Sequence, residues 1–451
     1  MINTNTMSRE VQQTVDTSNT DYGENIDSDL LVNNLIYEMP SSLSLAVSRQ
    51  HVLQYPQRAS YAVTRNTTIV FDWNSGNAYI DPSNSFLKFK MVVENPATGP
   101  IATVPTFGSG SALNLFHECR IRSRSGVELD RTENVNVYNK YRIDYNKTAQ
   151  WKNTLGKSFF VEGGTDYPIF DTANTLETEV VIPLCEIASV FRPLKAGQLM
   201  PPQLVSGLRI ELSLESIAKA FVDPLNWFGA NAKLILEDIH MSLDTVMLSD
   251  ESSKLLNLES SNSGLEYCYE RVYNYSNTFT SPSNFTLQMS KAVSQAIHSF
   301  AIVQDNTSVN SATLDSFQSE PYKIKNWQWR LGAQYYPHIP VVTDTTANVN
   351  KKGNEAYMLA LASCDKMRKN YQESSVTLND FSTSKSILAV SLEKNQSLAV
   401  SGLPSNNSRQ LELLVTRNNG ADAPGAKVDV NAFMTYISVA KAYIDNCSVA
   451  L

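Results

Sequence analysis

The chain has 451 residues, enough for two ordinary domains of about 200 residues each. Apolar residues make up 42% of the sequence and charged residues only 18%, which excludes a largely disordered chain. The formal net charge of −8 excludes a protein whose whole surface binds nucleic acid. The 20 Tyr and 17 Phe residues, together with abundant Ser, Thr and Asn, favour strands and turns over helices. We therefore expect an all-β protein.

Residues 1–40 read as an acidic N-terminal arm outside the rest of the pattern. Its first 38 residues carry one basic side chain, Arg9, against seven acidic ones: Glu10, Asp16, Asp21, Glu24, Asp27, Asp29 and Glu38. Segments that package genomes are basic because they neutralise phosphates, so we do not expect this arm to hold DNA. The apolar residues between Leu30 and Ile36 predict a short amphipathic helix.

The sequence shows no secretory signal and no apolar run of the roughly 20 residues that a membrane span needs. Its five cysteines are odd in number, widely spaced and without a CxxC pair. This usage predicts reduced thiols in a protein that is made in the cytoplasm or nucleus and is not secreted.

From about residue 40, short alternating segments recur in the same order with a period near 200 residues. Any one matched pair of segments is a weak signal, but the pairs occur in the same order in both halves of the chain, which predicts an internal duplication. The pairs, in chain order, are 84–95 with 297–306, 116–131 with 326–337, 132–147 with 354–370, 177–186 with 385–394, 207–215 with 409–417, and 231–248 with 431–444.

Residues 250–265 are the predicted linker between the two copies, because Ser249 and Asp250 resemble a helix cap and a Ser/Asn/Gly cluster follows. The predicted domains are therefore the arm 1–40, a first sandwich over 41–249 and a second over 266–451. Short strands, long excursions and a returning last strand in each copy favour a Greek-key sandwich or jelly roll.

Several motifs resemble one viral family. They are "NAYIDPSNSFLKFKMVV", "IPLCEIASVFRPLKAGQLMPPQL" leading into "GLRIELSL", and "WRLGAQYYPHIPV" followed by "NEAYMLAL". Over roughly residues 40–450, the sequence resembles the double jelly-roll major capsid proteins of eukaryotic double-stranded DNA viruses, in particular the polinton-like virus and virophage group. The resemblance implies two tandem eight-stranded jelly-roll sandwiches with short helices in the loops.

The same resemblance implies a homotrimer that forms a pseudo-hexagonal capsomer of an icosahedral capsid. Its partners would be neighbouring capsomers, penton proteins and minor capsid proteins, and its location would be the virion. Direct sequence-specific nucleic-acid binding is not expected, and the presence of an internal membrane is left open. Outer loops are expected at residues 96–115, 150–176 and 341–353, whose Gly, Thr, Ser and Asn content suits solvent.

The stretch "NWQWRLGAQYYPHIPVV", residues 326–342, looks most like a reactive or nucleic-acid-binding site. His338 lies between prolines with no signalled nucleophile or carboxylate, so we interpret it as part of a strand-end turn. Strand parity places Trp327 and Trp329 together towards a core and Arg330 on the other side. The same parity groups Lys323 and Lys325 with the tryptophans, at a solvated strand start.

Other motifs also favour structural explanations over chemistry. Arg120, Arg122 and Arg124 alternate along one strand, which fits a subunit contact or a solvated edge better than a phosphate site. His117 and Cys119 are expected on one strand face, yet two ligands do not make a zinc site. The sequence therefore nominates no catalytic residue, no cofactor-binding residue and no metal ligand, and no cofactor is expected.

Two other function classes remain open from the residues. A two-domain β-sandwich that binds a receptor or glycan would expose clustered aromatic residues on loops, whereas most aromatic residues here fall within strands. A β-sandwich hydrolase would need an acid/base pair, and none is evident in the sequence. A non-enzymatic capsid protein is the favoured prediction.

Overall fold

A computed structural model describes residues 46–74, 76–95, 105–162, 169–170, 177–223, 227–229, 231–280, 284–309, 311, 313–319, 324–343, 353–364, 374–395, 401–406, 409–417, 427–443 and 447–450. Residues 46–451 form one compact unit. The acidic arm and its predicted amphipathic helix lie outside the described residues.

The first half of the chain forms two antiparallel sheets. Sheet 1 has the strand order β1-β9-β4-β7, with the short β2 also on β9, and sheet 2 has the order β3-β8-β5-β6. The strands are β1 Ala46–Gln54, β2 Ser60–Ala62, β3 Thr68–Asp72, β4 Tyr79–Glu94, β5 Phe116–Arg122, β6 Glu128–Glu133, β7 Glu177–Pro183, β8 Arg209–Leu214 and β9 Lys233–Leu248.

The second half repeats this plan. Sheet 3 has the order β10-β18-β12-β15, with short β16 and β19 added, and sheet 4 has the order β11-β17-β13-β14. The strands are β10 Leu265–Thr280, β11 Asn284–Met289, β12 Val293–Asp305, β13 Ile324–Leu331, β14 Gln334–Val342, β15 Leu388–Ser391, β16 Leu403–Ser405, β17 Leu411–Arg417, β18 Lys427–Ala442 and β19 Cys447–Ala450.

The two halves correspond strand for strand, and each strand pair that the sequence repeat predicts occupies the same position in its sheet. Each half has eight principal strands in two four-stranded sheets, which is the arrangement of a jelly roll. We call residues 46–248 of this arrangement the first jelly roll and residues 265–450 the second. The predicted domain boundaries remain a prediction, because both jelly rolls belong to the same compact unit.

Alternating side chains explain why these segments form sheets with one buried face. In β4, Leu87, Phe89 and Met91 are buried, while Phe86 and Lys88 point to the outer side. The buried residues of sheets 1 and 2 meet in one core, where the ring of Phe89 lies 6.1 Å from that of Phe116 in β5. A period of two residues therefore sets both the strand and its core face.

The helices lie in the connections. They are α1 Val135–Asn146, α2 Ala149–Asn153, α3 Leu184–Ile187, α4 Pro202–Val205, α5 Ile217–Ala220, α6 Asp250–Asn262, α7 Asn306–Val309, α8 Asn354–Ser363 and α9 Leu378–Thr383. The matched segments 132–147 and 354–370 of the predicted repeat each contain a helix, α1 and α8, which follows a hairpin. Within the described part of the chain, no helix combines the length and apolar character that crossing a membrane requires.

The predicted linker is mainly one helix, α6. The Ser249 hydroxyl accepts a hydrogen bond from the Ser252 amide at 3.4 Å, as the predicted cap requires. Gly264 follows the helix with a φ of +77°, and a Cβ there would lie 2.9 Å from the Tyr443 ring. The end of the linker therefore needs glycine for both conformation and space.

The expectation of a solvent-facing excursion at residues 96–115 is wrong for its described part. Residues 105–115 lie largely in the interior, and Phe107 and Leu115 are fully buried. A Cβ on Gly110 would meet the side chain of Asn114 at 2.3 Å, so the small residues permit a tight buried turn. Residues 96–104, 163–168, 171–176 and 344–352 of the three predicted outer loops lie outside the described residues.

Candidate assembly surfaces

The first jelly roll contributes one helix, α1, to the core of the second. Ten of its 12 residues are buried. Tyr138, Tyr141 and Tyr145 share one helix face because they are three and four residues apart, and all three join the second core. The Tyr138 ring lies 6.0 Å from Phe300 and 5.5 Å from Phe433 of sheet 3. α1 therefore fuses the two sandwiches by a shared apolar surface.

Hydrogen bonds satisfy the polar ends of these buried side chains. The Lys140 ammonium and the Tyr141 hydroxyl both donate to the backbone oxygen of Phe317, at 2.9 and 3.1 Å. The Tyr145 hydroxyl donates to the backbone oxygen of Lys385 at 2.7 Å. Because a buried polar group without a partner is costly, these bonds fix where α1 sits on the second jelly roll.

Strand β10 completes the contact between the jelly rolls, which we call the seam. The Tyr269 hydroxyl donates to the backbone oxygen of Leu129 in β6, and the Tyr267 hydroxyl donates to a backbone oxygen of the first jelly roll at 2.8 Å. The guanidinium of Arg271 donates to the Glu128 carboxylate at 2.9 Å. β6 and α1 together thus cover the outer side of sheet 3.

A group of charges, buried except for the partly exposed Glu162, lies where α1 meets the second jelly roll. The Lys152 ammonium is 2.5 Å from Asp144 and 2.8 Å from Glu162, and the Lys385 ammonium is 3.4 and 3.5 Å from the same two carboxylates. Burial opposes ionisation of Asp144, but the surrounding lysines outweigh it and lower its pKa. Burial also lowers the pKa of Lys140 to about 8, although Asp144 opposes that shift. The seam is therefore ionic as well as apolar.

A second buried ion group ties α1 to α3. The Glu186 carboxylate contacts the Arg142 guanidinium and lies 2.8 Å from the Lys147 ammonium. Burial raises the pKa of Glu186, yet Arg142 and Lys147 reverse that effect and lower it to about 2. The Glu186 carboxylate is therefore ionised at neutral pH, and its ion pairs hold α1 in place.

On the outer side of sheet 1, the described side chains along β1 are exposed. We call this side the receiving face and define it by Arg49, His51, Leu53, Tyr55 and Phe86. The first four side chains are exposed, and the Phe86 ring is half-buried 6.2 Å from the ring of His51. Exposed aromatic and aliphatic groups on a flat sheet are typical of a contact surface.

β14 and α8, the elements of the second jelly roll that correspond to β6 and α1, carry exposed side chains. We call their outer side the covering face and define it by Tyr335, Ile339, Val342 and Met358. All four are exposed apolar or aromatic residues, with Ile339 at 72%. Since β14 is also an edge strand of sheet 4, its backbone borders solvent on one side.

Comparisons with solved structures address the fold. A chain of the PBCV-1 virus capsid superposes with a TM-score of 0.58 at 10% identity, covering 90% of this chain and 96% of that chain. The Faustovirus major capsid protein gives 0.53 at 9% identity with 91% and 93% covered. The mavirus major capsid protein gives 0.51 at 10% identity with 92% of each chain covered. No family model matches the chain, and no curated protein matches it significantly.

The chain has the double jelly-roll fold. The predicted fold class, with two tandem eight-stranded jelly rolls and short helices in the loops, is confirmed by the strand orders and by these similar structures. The sequence identity to these structures is near 10%, so the similarity is one of strand order and not of aligned residues.

In this double jelly roll, the stretch 326–342 covers most of the inner strand β13 and all of the edge strand β14. Trp327 and Trp329 are buried as predicted, and the Trp329 indole donates to a backbone oxygen at 3.0 Å. Arg330 points to the other side and donates to Glu412 at 2.9 Å. His338 lies exposed on β14, inside a strand and not at its end.

One detail of the predicted parity is wrong. A register shift between Ile324 and Asn326 interrupts the ladder of β13 with β17, so Ile324 is buried while Lys325 is exposed. Lys325 therefore does not share a face with Trp327, although its predicted solvated position is correct. Lys323 lies outside the described residues.

The arginine stripe on β5 is neutralised by neighbouring strands. Arg120 donates to Glu128 at 3.1 Å, and the Arg122 guanidinium lies 3.6 Å from the Glu211 carboxylate. Arg124 is exposed beyond the end of the strand. Paired cations attract phosphate weakly, so the geometry favours the predicted structural explanation over nucleic-acid binding.

The expectation that His117 and Cys119 share a face is wrong. A register shift between Phe116 and Glu118 places Cys119 in the core and His117 beside Glu215, with 3.4 Å between the ring nitrogen and the carboxylate. Among the residues that the structure describes, no three metal-binding side chains lie together.

Sequence reasoning missed the seam. The one available signal was the spacing of Tyr138, Tyr141 and Tyr145, which marks a strongly aromatic helix face. Such a face predicts burial, but its partner is some 150 to 300 residues away in sequence, so periodicity does not identify it.

Proposed function

We propose that this chain is the major capsid protein of a double-stranded DNA virus, and that three copies form a pseudo-hexagonal capsomer of an icosahedral shell. One observation carries this proposal: two sandwiches with the same strand order are joined rigidly through a buried seam. A trimer of such chains places six similar sandwiches around one axis, so a trimer fits a six-fold lattice position. The likeness in fold to three viral capsid proteins supports it.

A shell subunit needs a rigid body and broad contact surfaces, and this chain has both. The seam buries aromatic, hydrogen-bonded and ionic contacts between the jelly rolls, which opposes hinge motion. The receiving and covering faces lie on regular strands and helices and are exposed in the single chain. These features suit assembly better than catalysis.

The partners that follow are further copies of the trimer, penton proteins and minor capsid proteins, in the virion. Synthesis in the host cytoplasm or nucleus without secretion is part of the same proposal. The five cysteines form no disulfide, and burial raises the pKa of the Cys119 thiol, which agrees with a reduced protein.

We propose no enzymatic activity, and the receptor- or glycan-binding alternative is not favoured. Glycan-binding surfaces cluster aromatic rings on loops, whereas Trp73, Trp327 and Trp329 are buried in the cores and the exposed Tyr55 and Tyr335 belong to two different faces. Sugar binding to the purified chain, measured on a glycan array, would reopen that alternative.

The first test is the mass of the purified full chain by light scattering, followed by negative-stain imaging. Three copies of 50.1 kDa give an expected mass of about 150 kDa, and the particles should have a hexagonal outline. A species of 50.1 kDa at every concentration, with elongated images, would contradict the proposal. Repeating the measurement at high salt separates packing from weak charge attraction.

A further inference from the structure

A cavity of about 650 Å³ lies where the first jelly roll, α6 and β19 meet. We call it the linker cavity. Its walls come from residues within 76–79, 123–125 and 202–206 of the first jelly roll, from Ser253 and Asn257 of α6, and from Cys447 of β19. Sites for small molecules have volumes of about 300–1,000 Å³ and often lie between structural units. The linker cavity therefore has the size and the position of a ligand site, and it shares no residue with the receiving or covering face.

Hydrogen-bonding groups dominate the lining of the linker cavity. Of the described residues, four serines and three carboxamides line it, the carboxamides being Asn77, Gln203 and Asn257. The Gln203 Nε2 donates to the Asn257 Oδ1 at 2.8 Å, whereas the buried Gln203 Oε1 receives no hydrogen bond from the described residues. Because a buried acceptor without a donor is costly, this lining favours a ligand with N–H or O–H groups.

Arg124 is the charged residue of this lining, and the described lining contains no carboxylate. Arg120 and Arg122 of β5 form ion pairs with glutamates, but no ion pair between described residues includes Arg124. The Arg124 stem packs against Gly207, where a Cβ would lie 2.8 Å from the Arg124 Cβ. Gly207 has a φ of +80°, so glycine there provides both the turn and the room for the arginine. The guanidinium is therefore available to an anion in the cavity.

The groups beside Arg124 select the kind of anion. The Ser123 and Ser125 hydroxyls lie 2.9 Å apart, and the Ser206 hydroxyl belongs to the same lining. A phosphate monoester presents three terminal oxygens to such donors, whereas a carboxylate presents two, and arginine contacts phosphate through two parallel N–H bonds. The two bonded carboxamides suit a polar organic body, because Asn and Gln pair with the donor and acceptor edges of heterocyclic bases.

We propose that the linker cavity binds a small phosphate monoester with a polar body, of the size of a nucleoside monophosphate. Arg124 and the neighbouring serines hold the phosphate, and Gln203 and Asn257 contact the body. Since Ser253 and Asn257 belong to α6, the ligand holds the linker helix against the first jelly roll. This binding function goes beyond the proposed capsid function and does not depend on the trimer.

Calorimetric titration of the full chain with adenosine monophosphate tests the proposal. Adenosine, which lacks the phosphate, and inorganic phosphate, which lacks the organic body, are the comparison titrants. We expect saturable binding of adenosine monophosphate and at least about 10-fold weaker binding of each part, because each part makes only one set of the contacts. A chain that binds no adenosine monophosphate at millimolar concentration, or that binds inorganic phosphate as tightly, would overturn the inference.

Variants of the full chain locate the site. Arg124→Gln should weaken binding roughly 10- to 100-fold, and Arg124→Lys less, because lysine keeps the charge but not the planar fork of donors. Ser253→Trp fills the cavity from α6 and should abolish binding. The matched control is Arg65→Gln, which removes an exposed arginine of the first jelly roll outside the cavity and should keep wild-type affinity. Circular dichroism verifies that each variant is folded, and Asn257→Trp replaces Ser253→Trp if the latter unfolds.

Hydrogen exchange gives a readout that a general charge effect would not move. Adenosine monophosphate at a concentration that saturates the wild type should slow amide exchange across α6 in the wild type and in Arg65→Gln, but not in Arg124→Gln. Unchanged exchange in α6, wild-type affinity in Arg124→Gln or Ser253→Trp, or an equal loss in the control would overturn the inference. A monomeric wild type that binds adenosine monophosphate would contradict only the capsid proposal, and a trimer that does not bind it would contradict only this inference.

Discussion

Sheets 1 and 3 have the same strand order, yet the outer side of sheet 1 is exposed along its edge strand β1, whereas that of sheet 3 is buried along β10 under a neighbouring jelly roll. The side chains follow the surroundings. The buried β10 uses tyrosines whose hydroxyls reach backbone oxygens, and the exposed β1 uses Arg49 and His51, which remain hydrated. The two halves therefore share their strand order, whereas the side chains on the outer side of each sheet differ according to whether protein or solvent lies over them.

The largest expected effect separates the two equivalent helices. Tyr138→Ala in α1 should lower the free energy of unfolding by about 3–5 kcal/mol, because it leaves a cavity beside Phe300 and Phe433. Met358→Ala in α8 should cost less than about 1 kcal/mol in the monomer, since Met358 is exposed. Unfolding in guanidinium chloride measures both changes in free energy. Equal losses in the two variants would show that α1 and α8 do not differ in their contribution to stability.

The ionic part of the seam should be nearly as sensitive. Asp144→Asn removes the carboxylate beside Lys152 and Lys385 and should cost about 3 kcal/mol, because buried ammonium groups lose a partner. Glu266→Gln, which breaks the exposed pair with Lys441, is the control and should cost at most about 1 kcal/mol. If Asp144→Asn left the free energy of unfolding unchanged, the stability of the seam would not depend on this charge.

Acid should weaken the anchor of α1. The pKa of Glu186 is about 2 in the folded chain and about 4.5 when unfolded, so its contribution is complete above pH 4.5. It is lost as the pH falls towards 2, by about 3 kcal/mol in total. Unfolding measured from pH 6 to pH 2.5 should show this decline, and Glu186→Gln should make it shallower. An unchanged slope would mean that other carboxylates control acid stability.

The smallest effects are expected on the neutralised arginine stripe. Replacing Arg120 and Arg122 by Gln should change stability by about 1 kcal/mol or less, because both pairs are partly exposed. The affinity for duplex DNA should not change either. A marked, salt-dependent loss of DNA binding would instead assign this strand to nucleic acid.

Much of the fold was predictable, because alternation and turns are local. The repeat located six of the eight principal strand pairs and did not include β1 with β10 or β3 with β11. Gly126 and Gly332, with φ values of +82° and +62°, mark the turns between the paired strands β5–β6 and β13–β14. Trp327 and Trp329 were placed correctly from parity.

What the sequence did not reveal depends on distant contacts or on small irregularities. A one-residue register shift moved Lys325 and another separated His117 from Cys119, and neither leaves a pattern in composition. The buried turn at residues 105–115 uses Gly and Ser for close packing, although the same residues usually indicate solvent. The role of α1 depends on sheet 3, which alternation alone does not connect to it.

The burial of α1 in the second core has a consequence for synthesis of the chain. When translation has reached α6, the first jelly roll has all its strands, but Tyr138, Tyr141 and Tyr145 still lack the sheet that covers them. The nascent protein therefore exposes these three aromatic side chains until roughly 170 further residues are synthesised, which takes on the order of 10–30 s at ordinary elongation rates. Chaperones that shield apolar surfaces have that interval in which to act.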